Sequence, residues 1–270
     1  MGNEADSELA RIVESARELL LWEDELSGGG IPAHASRVEA TEAARGHSGN
    51  PLAPAEPKIE AVAPTESTPQ PEEYVHAEGD QGSPNRGLAT LADVEAAAAA
   101  CTDCGLHAGR TRSVFHRGNA EARLVFVGEG PDSHEDERGV PFVGNAGELL
   151  DKMVAAMGLS RDEVYVCNVV KCRPPDNRTP SNQEAAACQK WLVPQLDTVA
   201  PDVIVALGKC AAEHLGCLSP DSKRWRGVWG SWRGIPVMPT YHPAFLLRSP
   251  QFKRPVWEDL QRVMKKLEGE

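Results

Sequence analysis

The sequence predicts an α/β protein: a three-layer α/β/α domain on a central, mostly parallel four-stranded sheet, preceded by a disordered N-terminal extension with one amphipathic helix. Three observations carry that expectation. Beyond residue 88, short apolar runs alternate with helical stretches. Two of those runs stop at a glycine, as buried strands leading into loops do. The first ninety residues are instead acidic and rich in Ala, Pro, Glu, Ser and Gly. Strands that alternate with helices pair in parallel and are covered on both faces.

The elements follow in order. In residues 8–26, Leu9, Ile12, Val13, Ala16, Leu19 and Leu20 recur at helical spacing, and Gly28-Gly29-Gly30 ends the pattern. Residues 28–86 have almost no periodicity and too little apolar surface to offset the entropy of ordering, so they read as a linker. Residues 91–100 are Ala-rich and helical. A first strand spans 123–127, a helix 147–157, a second strand 164–170, and a second helix 181–196 with Ser181 as its N-cap. A third strand at 202–207 leads into a helix ending near Leu215, a fourth strand covers 235–240, and a helix over 256–267 closes the chain. The organisation is a helical segment at 1–27, a linker at 28–88 and a folded domain at 89–270. Ligands of such sheets bind at the carboxyl ends of the strands, which singles out the loops after Val127, Val170, Leu207 and Thr240.

Charge is unevenly spread. Of 28 Lys/Arg and 40 Asp/Glu, residues 1–90 hold 6 and 17, which leaves 22 and 23 for the rest. An acidic protein is ordinarily a poor nucleic-acid binder, but here the acidity lies in the extension and the C-terminal part is nearly neutral. No stretch approaches the roughly 20 apolar residues of a membrane span. The start lacks the basic flank and apolar run of a secretory signal, and Asp6 stands where a myristoylation motif needs Ser or Thr. A cytoplasmic, monomeric protein is expected, with no membrane partner. In that reducing setting seven cysteines point to a metal or cluster site rather than to disulfides.

Cys101 and Cys104 form a Cys-x2-Cys pair that one turn can present to one metal centre, and Cys172 and Cys188 complete a set of four. Zinc and iron–sulfur clusters both accept four thiolates, and spacing leaves the choice open. Cys167, Cys210 and Cys217 read as small buried hydrophobes. The loop after Val127 contains Gly128-Glu129-Gly130-Pro131-Asp132, Glu135 and Gly139-Val140-Pro141-Phe142-Val143-Gly144. It lacks the third glycine of a dinucleotide fingerprint. Phe142 offers a ring face for a planar group. Asn168 carries a donor and an acceptor near a strand end, which suits a base edge. His242, directly before Pro243, is held in direction at the last strand end.

Together these pieces resemble the family 4 uracil-DNA glycosylases, which carry a 4Fe–4S cluster. The matching motifs are Cys101-x2-Cys104, Gly128-Glu129-Gly130-Pro131, Gly139-x-Pro141-Phe142-Val143-Gly144, Asn168-Val169-Val170-Lys171-Cys172-Arg173-Pro174-Pro175, Cys188 and His242-Pro243-Ala244-Phe245-Leu246-Leu247-Arg248. They cover the chain from about Leu91 to its end, in the family's order. The resemblance implies that Cys101, Cys104, Cys172 and Cys188 hold a 4Fe–4S cluster. It implies that Phe142 stacks on a flipped uracil and Asn168 reads its edge. It puts His242 at the carbonyl beside the glycosidic bond, with Glu129, Gly130 and Glu135 in the catalytic loop.

The implied activity is hydrolysis of the N-glycosidic bond of uracil in single- or double-stranded DNA, releasing free uracil and leaving an abasic site. The segment 244–248 is expected to be a loop that enters the duplex. One position departs from the family pattern Gly-Glu-(Ala/Gly)-Pro-Gly: its last glycine is Asp132, which a left-handed backbone would still tolerate. Glu129, Asp132 and Glu135 are the candidate water-activating groups. Two alternatives stand beside this expectation. One is a related glycosylase for other deaminated bases. The other is a non-catalytic iron–sulfur module that binds DNA or a protein, with the N-terminal helix as the partner-binding segment. A covalent-capture branch is disfavoured, because residues 173–181 contain no His.

Overall fold

The computed structural model describes residues 90–218 and 225–269. The expected helix at 8–26 and the linker lie outside the described residues. The first helix, α1 (Leu91–Ala99), starts at a capping box in which Thr90 accepts from the Asp93 amide and Asp93 reaches back to Thr90. Six strands follow: β1 (Arg117–Gly118), β2 (Leu124–Gly128), β3 (Tyr165–Asn168), β4 (Val203–Leu207), β5 (Gly230–Trp232) and β6 (Ile235–Thr240). The helices between and after them are α2 (Ser133–Arg138), α3 (Asn145–Ala156), α4 (Asn182–Val199), α5 (Lys209–His214), α6 (Pro243–Arg248) and α7 (Lys253–Leu267).

The sheet has six strands in the order β1-β3-β2-β4-β6-β5, not the four expected. The expected four, β3, β2, β4 and β6, form its parallel centre. The two additions are short antiparallel edge strands, β1 on β3 and β5 on β6. Two or three residues are too few to show a periodicity. β5 and β6 form a hairpin with Trp232 opposite Ile235, and the two turn residues Arg233 and Gly234 both have positive φ (49° and 89°). That is the backbone a tight hairpin turn needs to match the strand twist.

Alternation along the central strands explains the layering. Val125, Val127, Tyr165, Cys167, Ile204 and Ala206 face one apolar cluster, which α1, α4 and α5 cover. Leu124, Phe126, Val166, Val203, Val205 and Met238 face a second cluster, covered by α3 and α7. Burial on both faces is why the strands read as unbroken apolar runs. α4 begins at Ser181, as expected, in a capping box with Glu184. Two short helices were not anticipated, and α6 replaces the loop expected at 244–248.

Candidate active site

A cleft of about 480 Å³ opens at the carboxyl ends of the parallel strands. Glu129, Gly130, Glu135, Phe142, Asn168 and His242 all line it, so the residues singled out from sequence meet in one place. The loop after β2 supplies the first four, the end of β3 supplies Asn168, and the residue after Tyr241 supplies His242.

Phe142 is held by close backbone packing. Its φ of 56° lies in the left-handed region, which a non-glycine residue occupies only when its surroundings impose it. Gly147, in the first turn of α3, lies so near that a Cβ there would be 1.8 Å from the Phe142 carbonyl oxygen. At Gly128 a Cβ would stand 2.7 Å from the Phe142 ring and 2.3 Å from Asn168 Oδ1. These two glycines let the ring and the amide meet over the end of β2.

Glu135 joins them. Its Oε1 accepts from the Phe142 amide at 2.8 Å, and its Oε2 accepts from Asn168 Nδ2 at a long 3.4 Å. It is buried, and burial first, then the nearby Asp132 carboxylate, pushes its pKa up to about 7. Asp132 has an extended backbone (φ −89°) rather than the left-handed one anticipated for the family's glycine position. It serves instead as the N-cap of α2, accepting from the Glu135 amide at 2.9 Å.

Asn168 is 1 % exposed, and its Oδ1 has no hydrogen-bond partner. Its carbonyl accepts from Lys171 Nζ at 2.7 Å. His242 caps α6, its Nδ1 accepting from the Ala244 amide at 3.2 Å. A neutral imidazole that accepts at Nδ1 carries its hydrogen on Nε2. Burial, and then the Arg248 charge, push the His242 pKa down to about 4, so the neutral form prevails near pH 7. The His242 and Phe142 ring centroids are 5.5 Å apart. Glu129 stands somewhat apart: its carboxylate lies against the Cys210 thiol, which burial first and then Glu129 push up to about 12. Phe245 and Arg248, from the segment expected to enter the duplex, also line the cleft, as does Arg178, which was not singled out from sequence.

Cys101, Cys104, Cys172 and Cys188 line one separate cavity, and Cys167, Cys210 and Cys217 do not. All seven are free thiols. Among the described residues no group of three or more His, Cys, Asp or Glu is arranged to hold a metal ion. The surroundings of the four thiols are rich in donors. Arg110 Nη1 donates to Cys172 Sγ at 3.1 Å, and the Lys171 amide donates to Cys188. The fully buried Lys171 amine, whose pKa burial pushes down, reaches only neutral acceptors, Asn168 O and Gln195 Oε1, and among the described residues no carboxylate pairs with it. Trp191 also lines this cavity, and its indole Nε1 is buried with no partner. Lys171 lay inside a motif already noted, but a lone Lys gives no sign of burial. Trp191 falls three residues after Cys188, one helical turn on, which was the available signal.

A doubly covered parallel sheet with a ring, an amide and an imidazole gathered at its strand ends defines a pocket enzyme for a planar, hydrogen-bonding ligand. Over residues 115–261, just over half of its length, the chain matches the uracil DNA glycosylase superfamily, and it belongs to that superfamily. It is 47 % identical over 171 residues to the type-4 uracil-DNA glycosylase of Thermotoga maritima, covering 60 % of this chain and 87 % of that protein. The type-4 enzyme of Archaeoglobus fulgidus is 39 % identical over 186 residues, 65 % of this chain and 92 % of the relative. A type-5 uracil-DNA glycosylase of Pyrobaculum aerophilum is more distant, at 34 % over 146 residues, 47 % of this chain and 63 % of that one.

Proposed function

We propose that this chain excises uracil from DNA by hydrolysing its N-glycosidic bond, in base-excision repair. The observation that carries the reading is the buried, unpartnered Oδ1 of Asn168 on the same cleft as Phe142 and His242. A buried acceptor without a donor is costly, of order 1–3 kcal/mol, and a ligand N–H would satisfy it. Uracil N3–H is such a donor. Asn168 Nδ2 then donates to O4, with the Phe142 ring against the base. Once deprotonated, above its pKa of about 7, Glu135 only accepts, so it keeps Nδ2 turned towards itself and leaves Oδ1 for the ligand. Cytosine presents an acceptor at N3 and a donor at C4, the reverse of what this orientation reads.

Bond cleavage leaves an oxocarbenium-like sugar and negative charge on the uracil. The Nε2–H of neutral His242, aimed at the O2 where that charge collects, stabilises the transition state by about 3 kcal/mol. Water completes the reaction at the sugar carbon, with Glu129, Asp132 and Glu135 as the carboxylates on the cleft wall, and Glu135 also orients Asn168. Reaching the base requires taking it out of the stack. Leu247 on α6 is 47 % exposed and stands beside Arg248, which suits an apolar wedge in the vacated step with a cation for phosphate.

We further propose that Cys101, Cys104, Cys172 and Cys188 hold a 4Fe–4S cluster. The residues fit such a group: four free thiols share one cavity, ringed by the donors Arg110, the Lys171 amide and the Trp191 indole. A thiolate-ligated cluster carries net negative charge and supplies sulfur acceptors to all of them. When bound it would cross-link the segment after α1, the segment after β3 and α4, in a cavity separate from the cleft. Residues 1–88 serve a separate role, such as partner recruitment. No helix among the described residues is long and apolar enough to cross a membrane. Deleting residues 1–86 is expected to leave excision on a naked oligonucleotide intact.

The test is a uracil-containing fluorescent oligonucleotide incubated with protein and cleaved with alkali. Strand breaks at uracil that disappear with His242→Ala and Asn168→Ala are expected. Intact strands across uracil and other deaminated bases, from protein loaded with cluster, would leave the non-catalytic binding module as the better account.

A further inference from the structure

Of the polar groups that the excision reaction leaves unused, the indole of Trp191 is the least explained. It is 7 % exposed, its Nε1 has no partner, and it lines the four-cysteine cavity. Trp191 lies one turn beyond Cys188 on α4, so the two side chains share a helix face. Its orientation is held from outside. Lys190 lies 4.7 Å from the centroid of the indole and forms an ion pair with Asp103, which sits between Cys101 and Cys104. Opposite, Arg110 is fixed by Ala99 O at 2.8 Å and Cys101 O at 3.1 Å while its Nη1 donates to Cys172 Sγ.

We propose that Trp191 and Arg110 are cluster-tuning residues, donating hydrogen bonds to sulfur that raise the reduction potential of the cluster and retain it in the protein. The inference rests on the 4Fe–4S reading above. The indole N–H, buried and without a partner in the four-cysteine cavity, would donate to a sulfur of the cluster. The Arg110 guanidinium serves the Cys172 sulfur. Adding one electron from outside raises the negative charge on the sulfurs, so each donor favours the reduced form more than the oxidised one. Removing either donor therefore lowers the potential and eases oxidative loss. Neither residue touches the uracil cleft.

The experiment compares anaerobically purified full-length wild-type protein with Trp191→Phe and Arg110→Gln, and with Trp232→Phe as the loss of an equally buried indole elsewhere in the same core. Iron and sulfide content is measured first, then the potential by voltammetry, then the rate at which the visible cluster absorption bleaches in air. Trp191→Phe and Arg110→Gln are expected to shift the potential to more negative values and bleach several-fold faster, with Trp232→Phe matching wild type. A variant that fails to retain its cluster while Trp232→Phe retains it supports the same conclusion. Loaded Trp191→Phe and Arg110→Gln proteins with wild-type potentials and bleaching rates would overturn the inference. Wild-type protein that takes up no 4Fe–4S cluster would overturn the cluster reading itself, and this inference with it.

Discussion

The uracil cleft and the cysteine cavity each hold one buried polar atom with no partner, and the two are of opposite kind. In the cleft it is the Oδ1 of Asn168, an acceptor; in the cavity it is the Nε1 of Trp191, a donor. Buried polar groups are almost always paired, so each exception states what its missing partner must offer. The cleft asks for an N–H on something flat enough to lie against Phe142. The cavity asks for an acceptor among four thiols, which sulfur supplies. The supports differ as well. Glycines and a strained Phe142 backbone shape the cleft, whereas guanidinium, amide and indole groups surround the cavity. Lys171 joins them, its amine on the Asn168 carbonyl and its amide on Cys188.

The largest expected effects fall on the cleft. Asn168→Ala and His242→Ala are each expected to lower excision by roughly 10²- to 10³-fold with folding retained, as single-turnover rates and urea unfolding would show. Gly147→Ala comes next. Its methyl group would collide with the Phe142 carbonyl, and displacing that backbone is expected to cost about 1–3 kcal/mol in urea unfolding and to raise KM for uracil DNA. The same substitution next to a cysteine-cavity residue, Gly105→Ala, meets no atom within 4 Å and should leave KM unchanged, which sharpens the contrast.

Glu135→Gln probes orientation. A glutamine can keep the Phe142 amide bond but presents a donor to Asn168, which would turn the amide over and put Nδ2 towards uracil N3–H. Uracil excision is expected to fall by about 10-fold, roughly 1.4 kcal/mol, with a smaller loss of rejection towards cytosine. The substitution also has a pH signature. Glu135 in the folded protein holds its proton up to about 7, above its ordinary 4.5, so the folded state binds more protons in that interval. Stability therefore falls as pH rises from 4.5 to about 7, and Glu135→Gln is expected to flatten that slope in denaturation measured across the interval. The smallest effect belongs to Asp132→Gly. It removes the α2 cap at a cost of only about 0.3 kcal/mol, and the neighbouring charge that helps to raise the Glu135 pKa, so the midpoint of that slope should move down.

Legibility from sequence divided along physical lines. The four central strands were readable because burial on both faces leaves runs such as Leu124-Val125-Phe126-Val127 with no polar break. β1 and β5 were not, since pairing at a sheet edge needs only a few backbone groups. The Arg233-Gly234 turn between Trp232 and Ile235 was the one local sign of the second. α2 and α6 escaped notice because each is six residues long and depends on a cap, Asp132 or His242, rather than on an apolar stripe. All six candidate cleft residues were found, because they lie in short motifs at strand ends. What they do to one another was not legible. The Glu135 bond to Asn168, the tautomer of His242 and the isolation of Trp191 Nε1 depend on distances that spacing does not encode.

The most direct test of the central claim replaces the donor that Asn168 awaits. Single-turnover excision would be measured on matched oligonucleotides bearing uracil or N3-methyluracil at the same position, with wild-type protein and Asn168→Ala. The wild-type protein is expected to release uracil far faster than the methylated base, and Asn168→Ala is expected to lose most of that difference. Equal wild-type rates on both bases would show that N3–H is not read at Oδ1 and would contradict the account.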